Sequence, residues 1–153
     1  MNRFKSVMLA VLVATAGFWV ADSFAAGVET STTGVLGYDL VAYHTAGKPV
    51  RGDGNNLVVV DDVTYLFANE ENKNAFEKNP EKYLPVYGGY CAYGVSVGKK
   101  FVGDPEVWKI VDGRLYLNLD RDIQKLWFQD IPGNIVKADQ HWPNIKDKAP
   151  ADL

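Results

Sequence analysis

The alternation of apolar and polar positions predicts short β-strands at several places along the chain. Asp61-Asp62 separates a β-branched run from a second apolar run, and we expect it to turn the chain between two antiparallel strands. Asp112-Gly113 lies between two alternating runs and is typical of a type I′ hairpin turn. The predicted strands cover residues 38–43, 57–60, 63–67, 108–111 and 114–117.

Three segments are predicted to form short helices: residues 70–78, 119–128 and 134–142. Asn69 is the expected N-cap of the first helix. We expect Pro132-Gly133 to break the chain before the third helix and Pro143 to end that helix. Residues 83–94 are dense in Gly and Tyr, which favours a tight turn that holds a side chain in place.

Strands and helices alternate without regular spacing, so the sequence predicts one small α+β domain with short antiparallel hairpins and about three short helices. We expect no internal repeat. The 153 residues are 47% hydrophobic and 23% charged, which is ordinary for a globular protein. A formal net charge of −3 gives no basic surface for binding nucleic acid.

The N-terminal residues have the pattern of a secretory signal peptide. Arg3 and Lys5 precede an apolar run at 7–20, and small residues stand where cleavage after Ala25 requires them. The apolar run is shorter than the ~20 residues that span a bilayer. We therefore expect a periplasmic protein with no membrane attachment after cleavage. The predicted parts are a signal peptide at 1–25, a flexible arm at 26–35, a folded domain at 36–145 and a frayed tail at 146–153.

Cys91 is the only cysteine, and both methionines lie in the predicted signal peptide. An unpaired thiol is unusual in an exported protein because the periplasm is oxidising. The side chain is either a small packed group or a thiolate that binds metal or undergoes redox chemistry. His44 and His141 are the histidines. A copper(I) chaperone that relies on Met ligands is excluded, because no Met remains after cleavage.

Several short motifs resemble those of the exported YHS-domain proteins, and the resemblance covers residues 36–145. The motifs are Gly37-Tyr38-Asp39-Leu40-Val41-Ala42-Tyr43, Tyr65-Leu66-Phe67, Asn79-Pro80-Glu81-Lys82-Tyr83, Gly88-Gly89-Tyr90-Cys91-Ala92 and Asp112-Gly113-x-Leu115-Tyr116-Leu117-Asn118. Metal-associated YHS modules carry a Cys pair where this chain has Ala42 and Ala68. The exported subfamily has Cys or selenocysteine in its Gly-Gly-Tyr loop. The resemblance therefore implies a functional role for Cys91.

The favoured hypothesis is a metal-binding module for copper or zinc, in which Cys91 supplies a thiolate and His44 an imidazole. The weaker candidate ligands are Tyr43, Asp39 and Tyr87. A closed zinc site takes four ligands, so we expect an open site or one shared in a homodimer. The expected partners are the metal ion or a protein that handles metals or redox equivalents. No organic cofactor and no enzyme activity are expected.

The first alternative is thiol redox chemistry at Cys91, through a sulfenic acid or a mixed disulfide. A resolving Cys would have to come from a partner or from a second copy of the chain. Lys99 and Lys100 would lower the pKa of the thiol if the chain folds back onto it. The second alternative is a non-catalytic interaction domain in which Cys91 is simply packed.

Overall fold

The computed structural model describes residues 31–153, so the predicted signal peptide at 1–25 lies outside the described residues. Within the described part, the strands are β1 (Thr32–Thr33), β2 (Asp53–Val60), β3 (Val63–Phe67), β4 (Asp104–Val111) and β5 (Arg114–Asn118). The helices are α1 (Leu40–Thr45), α2 (Glu70–Lys78), α3 (Pro80–Tyr83), α4 (Ala92–Ser96), α5 (Arg121–Phe128) and α6 (Ile131–Ile145). The predicted α+β class is confirmed.

Both predicted hairpins are confirmed. β2 pairs with β3 and β4 with β5, each pair antiparallel, while β1 adds to β3 in parallel. The turn residues have left-handed backbones, with φ of 49° and 61° at Asp61 and Asp62, and of 49° and 74° at Asp112 and Gly113. Two successive residues with positive φ form the type I′ turn, whose twist matches that of the strands it joins.

Two of the predicted helices are confirmed in α2 and α5. Asn69 caps α2 by accepting a hydrogen bond from the N–H of Asn72, and Asp120 caps α5 by accepting one from the N–H of Ile123. Each cap satisfies a donor that the first turn of a helix leaves without an intrahelical partner. α5 begins at Arg121 rather than at residue 119, because the Asp120 cap fixes its N-terminus.

The predicted strand at 38–43 is wrong, because this segment enters a helix. The carboxylate of Asp39 accepts hydrogen bonds from the N–H groups of Val41 and Ala42, at 2.8 and 3.2 Å. These bonds make Asp39 the N-cap of α1. The short apolar segment carries no periodicity that distinguishes a strand from one turn of helix, and the capping carboxylate decides between them.

The predicted break at Pro132-Gly133 and the predicted end at Pro143 are also wrong, since α6 runs through both. Asp130 caps α6 by accepting a hydrogen bond from the N–H of Gly133. A proline in the first turn is tolerated because an N–H there would have no intrahelical acceptor. Pro143 removes one hydrogen bond near the C-terminus, and the next turn closes from the N–H of Lys146 to the carbonyl oxygen of Trp142.

The structure contains an internal duplication, so the expectation of no repeat is wrong. The first half consists of a left-handed turn at Gly34–Gly37, followed by α1, β2, β3 and α2. The second half consists of a left-handed turn at Val86–Gly89, followed by α4, β4, β5 and α5. α3 links the halves, and α6 extends the second half.

Backbone hydrogen bonds repeat along with the elements. The N–H of Asp39 donates to the carbonyl oxygen of Val50 at 2.8 Å. The N–H of Cys91 donates to the carbonyl oxygen of Phe101, also at 2.8 Å. Asp39 and Cys91 therefore occupy equivalent places, each as the N-cap of the first helix in its half. Two further equivalent donor and acceptor pairs are Gly52 with Gly37, and Gly103 with Gly89.

The buried apolar side chains form two clusters. The first belongs mainly to the first half and takes Leu115 and Leu117 from β5, so that β5 joins the two halves. The second lies between the second half and α6. Its members are Val86, Tyr87, Ala92, Val95, Tyr116, Trp127, Ala138 and Ile145.

The C-terminal segment is predicted from the sequence to be frayed. In the structure, one side chain of the domain and one of the segment itself hold it against the domain. The ammonium group of Lys100 donates hydrogen bonds to the carbonyl oxygens of Lys146 and Lys148, at 2.9 and 2.6 Å. Leu153 packs against the second cluster. None of the helices formed by residues 31–153 has both the length and the apolar character that crossing a bilayer requires.

Candidate functional site

Cys91 lies at the N-terminus of α4, in the loop that follows the second left-handed turn. Its side chain is 0% exposed and forms no disulfide. The sulfur accepts a hydrogen bond from the N–H of Gly94, with Sγ and N 3.4 Å apart. The N–H groups of Tyr93 and Leu119 lie near enough to the sulfur to lower the pKa of the thiol. Three backbone donors therefore converge on one atom, a set that stabilises negative charge there.

Two opposing effects set the pKa of the Cys91 thiol. Burial raises the pKa above its ordinary value, because the charged form loses its hydration. The three N–H groups lower it, and the nearby carboxylate of Asp120 raises it slightly. Burial is the larger effect, so the resting side chain at neutral pH is a protonated thiol. The donors act once negative charge forms on the sulfur.

A small apolar pocket opens beside the sulfur. Its volume is about 110 Å³, which is room for a molecule of a few heavy atoms. Residues from α4, the following loop and α5 surround it, and the lining consists of Cys91, Tyr93, Gly94, Val97, Phe101, Leu119 and Ile123. Val97, Phe101 and Leu119 are exposed at the surface. The buried sulfur is therefore one side-chain layer away from solvent.

Among residues 31–153, Asn118 is the one polar side chain that forms a hydrogen bond with the sulfur. It lies at the end of β5, is completely buried, and has its Oδ1 3.8 Å from Sγ, in position to accept the S–H proton. Its Nδ2 has no hydrogen-bond partner among the described residues. A buried amide donor without an acceptor costs about 1–3 kcal/mol, so its presence beside the thiol requires an explanation.

The equivalent place in the first half holds a fully satisfied carboxylate. Oδ1 of Asp39 accepts from the N–H groups of Val41 and Ala42. Oδ2 accepts from the N–H of Ala68 at 2.8 Å and from Nδ2 of Asn72 at 2.6 Å. Asp39 is as buried as Cys91. We call this set of donors the Asp39 cradle.

The three backbone donors around Cys91 are the counterparts of those in the Asp39 cradle. Tyr93 and Gly94 follow Cys91 in α4 as Val41 and Ala42 follow Asp39 in α1, and Leu119 ends the second hairpin where Ala68 ends the first. The side chains differ: Ile123 of α5 stands where α2 has Asn72, which leaves an apolar pocket in place of an amide. We call the second set of donors the Cys91 cradle.

Comparisons with known proteins add no relative to this picture. No family model, curated protein or solved structure matches the chain.

His44, the favoured second metal ligand, lies in α1 of the first half. Its ring packs edge-on against Tyr83, with the ring centroids 5.3 Å apart, and its buried Nε2 has no partner among the described residues. Burial and the charge of Lys82 lower the pKa of His44, so the imidazole is neutral at neutral pH. His44 does not line the pocket at Cys91. His141 is exposed on α6.

The weaker candidate ligands are each bound elsewhere. The hydroxyl of Tyr43 donates to the carbonyl oxygen of Pro105 at 2.8 Å, and that of Tyr87 donates to Asp139 at the same distance. Burial raises the pKa of both tyrosines, so neither is a ready phenolate ligand. The carboxylate of Asp39 is saturated by its cradle.

The described residues 31–153 contain no group of three His, Cys, Asp or Glu side chains that could hold a metal ion. A transition-metal site takes ligands that converge on one point, whereas His44 packs on Tyr83 and is not among the residues that line the pocket at Cys91. The donor set that sequence analysis favoured therefore does not fit a copper or zinc site within one chain.

The polar surroundings of the thiol are not visible in the sequence pattern. Asn118 was visible as an amide at the end of an apolar strand, but nothing in the pattern joins it to Cys91. Lys99 and Lys100, which would lower the pKa of the thiol if the chain folded back onto it, are not among the groups that shift this pKa. Lys99 is exposed, and Lys100 binds the C-terminal segment.

Proposed function

We propose that this protein is an exported, periplasmic YHS-type domain that works through the thiol of Cys91, by redox chemistry rather than by a metal site shared with His44. The observation that carries the proposal is the convergence of three backbone N–H groups on a buried sulfur beside a small apolar pocket. Such donors stabilise the negative charge that sulfur acquires on ionisation or oxidation.

The pocket supports a small oxidant as the reaction partner of the thiol. Its lining is apolar apart from the sulfur, and its volume of about 110 Å³ excludes a folded protein segment. A mixed disulfide with a partner protein would require Val97 and Phe101 to move aside, since both stand at the mouth. A hydroperoxide is much smaller and needs only a small movement of these side chains to reach the buried sulfur, so it is the partner that the geometry favours.

The test is the reactivity of the exported protein toward hydrogen peroxide, with loss of the thiol followed by mass spectrometry. We expect Cys91 to lose its thiol in the folded protein, and Cys91→Ser to show no change in mass. An unreactive thiol that reacts only after unfolding would contradict the proposal and favour the packed Cys of an interaction domain.

The same preparation tests the metal hypothesis, which stays a prediction. Metal content is measured on protein purified without chelator or affinity tag, beside Cys91→Ser and His44→Ala. Near-stoichiometric copper or zinc that is lost in both variants would establish a site at these two residues. Because His44 does not line the pocket at Cys91, that result would point to a site shared between copies, which the oligomeric state would reveal.

A further inference from the structure

The Asp39 cradle shows what kind of group the Cys91 cradle is built to hold. In the first half, two oxygen atoms on one side chain accept from three backbone N–H groups and one amide. In the second half, the three equivalent N–H groups surround a single sulfur atom, and that of Gly94 donates to it with N and Sγ 3.4 Å apart. A sulfur atom that carried two oxygens would place acceptors where the Asp39 carboxylate has them.

A second observation points to the same ligand. Nδ2 of the completely buried Asn118 has no partner among the described residues, and the amide faces the sulfur through Oδ1. In the reduced protein the S–H group donates to Oδ1. Half a turn of the amide brings Nδ2 to that place, where it donates to an oxygen on the sulfur. The amide is thus a fourth donor, in the role that Asn72 has for Asp39.

The pocket provides the room that oxidation needs. Its wall includes Ile123 where the first half has the Asn72 amide, so the space beside the sulfur is unfilled. At about 110 Å³ it is larger than the roughly 30 Å³ that a water molecule occupies in the liquid, so a hydroperoxide group fits. The exposed side chains of Val97 and Phe101 form its outer wall.

We propose that Cys91 is oxidised by hydroperoxides to a cysteine sulfinate, which the Cys91 cradle and Asn118 hold as the Asp39 cradle holds its carboxylate. This inference rests on the proposed function, because it names the oxidant class and the product at the same thiol. The sulfinate carries one negative charge over two oxygens, as a carboxylate does.

The chemistry proceeds in two balanced steps. The ionised sulfur attacks one oxygen of ROOH, an S–O bond forms as the O–O bond breaks, and RO⁻ leaves and takes up the proton that the thiol lost. The first product is a sulfenic acid, which releases its proton to solvent. The sulfur of the resulting sulfenate then attacks a second ROOH, giving a sulfinate and ROH. Each step oxidises the sulfur by two electrons and reduces one peroxide, with water as ROH when the oxidant is hydrogen peroxide.

The experiment treats the exported protein with hydrogen peroxide or tert-butyl hydroperoxide in increasing amounts and measures its intact mass. We expect Cys91 to gain two oxygen atoms, to stop there, and to resist dithiothreitol, which reverses sulfenates and disulfides but not sulfinates. Faster oxidation by hydrogen peroxide would show that the oxidant must be small. Faster oxidation by tert-butyl hydroperoxide would show that an apolar group suits the pocket lining.

Matched variants test the cradle without any oxidant. Cys91→Asp supplies two oxygens and a charge in the place of the sulfinate, whereas Cys91→Asn has the same shape but turns a donor toward the N–H groups. We expect the Asp variant to melt at least about 4 °C above the Asn variant. Asn118→Leu should slow the addition of the second oxygen about tenfold, since it removes one hydrogen bond to a charged product.

The outcomes separate this inference from the proposed function. A single oxygen that dithiothreitol removes, a disulfide-linked dimer, or a sulfonate with three oxygens would overturn the sulfinate and leave thiol chemistry in place. An Asn variant as stable as the Asp variant would overturn the anion-holding role of the cradle. A folded protein whose Cys91 reacts with neither peroxide would overturn both proposals.

Discussion

Asp39 and Cys91 show how one backbone arrangement serves two chemistries. Each side chain caps a short helix and accepts from N–H groups of that helix and of the chain after the following hairpin. The carboxylate uses all of its donors and ties α1 to the start of α2 through Asn72. The thiol uses the same backbone donors weakly, because sulfur is a poor acceptor. Asp39 therefore stabilises the fold, whereas the N–H groups around Cys91 are still able to bond more strongly to a better acceptor than the thiol.

Asp39→Asn should lower the free energy of unfolding by about 3 kcal/mol, because the amide places a donor against N–H groups that need an acceptor. Denaturant unfolding measures the change. Asp120→Asn is the matched control, since Asp120 is an exposed N-cap and Asn caps helices equally well. The control should change stability by less than about 0.5 kcal/mol. Equal effects of the two substitutions would mean that burial of the cradle contributes nothing.

The raised pKa of Cys91 predicts how the reactivity of the thiol and the stability of the protein depend on pH. Because burial raises it, the rate of alkylation by iodoacetamide should keep rising with pH beyond the ordinary thiol pKa of about 8.5, where the unfolded protein levels off. The same shift affects stability: the contribution is fully present below the unfolded pKa and is lost as pH rises through the folded one. Cys91→Ser should therefore remove part of the alkaline loss of stability. A folded rate that levels off earlier than the unfolded rate would contradict this.

At the scale of the elements, a glycine precedes each hairpin at a point where two backbone segments lie too close together for a Cβ. A Cβ on Gly103 would lie 2.6 Å from Cβ of Leu117 and 2.7 Å from the carbonyl oxygen of Gly89. A Cβ on Gly52 would likewise meet the backbone of Leu66. In both halves the missing side chain lets the start of the hairpin cross its own second strand.

Gly52→Ala and Gly103→Ala should each destabilise the protein by about 1–3 kcal/mol, because backbone atoms must move to admit the methyl group. Gly54→Ala is the control, since a Cβ there meets nothing within 4 Å. Thermal unfolding of the three variants measures the effect. A large loss of stability for Gly52→Ala with no loss for Gly103→Ala would show that the two hairpins do not respond alike to the added methyl group.

At the scale of the whole molecule, Lys100 couples the second half to the C-terminal segment. Its ammonium group bonds two carbonyl oxygens of that segment and lies 4.6 Å from the centroid of the Tyr90 ring. Tyr90 immediately precedes Cys91. The position of the chain end is therefore fixed through contacts close to the candidate site.

Lys100→Met should release the segment after α6, because the apolar side chain keeps the packing on Tyr90 but loses both hydrogen bonds. Amide hydrogen exchange over residues 146–153 should become faster, with a loss of about 1–3 kcal/mol in global stability. Lys99→Met, at an exposed neighbouring position, should leave the exchange unchanged. Unchanged exchange in both variants would show that the segment is held by Leu153 alone.

The parts of the fold that sequence analysis predicted correctly are those whose signals are local. Asp112-Gly113 dictates its own turn, and Asn69 satisfies one N–H donor in the first turn of α2. α1 was missed because its N-cap, Asp39, also bonds to Ala68 across the domain, and no short window contains both residues. The start of α6 was predicted wrongly because Pro132 and Gly133 were taken as helix breakers. They lie instead in the first turn of a helix that Asp130 caps.

The candidate site was predictable only in part. Cys91 stands out in the sequence because it is the one cysteine, but its surroundings come from hydrogen bonds across the fold. The duplication stayed hidden because the halves share mainly residues that the backbone demands, such as Gly-Asp at the start of each hairpin (Gly52-Asp53 and Gly103-Asp104). Side chains at the other equivalent places have diverged, as Asn72 and Ile123 show.

The repeated cradle also bears on the evolvability of this chain. One copy holds a carboxylate that secures the scaffold, which leaves the other copy free to vary its reactive atom. α6 packs against the second half and contributes to its apolar cluster. The framework around position 91 is therefore held by more than the capping bonds of that one side chain. A redesign could therefore exchange sulfur for selenium or a carboxylate at this position and keep the same architecture.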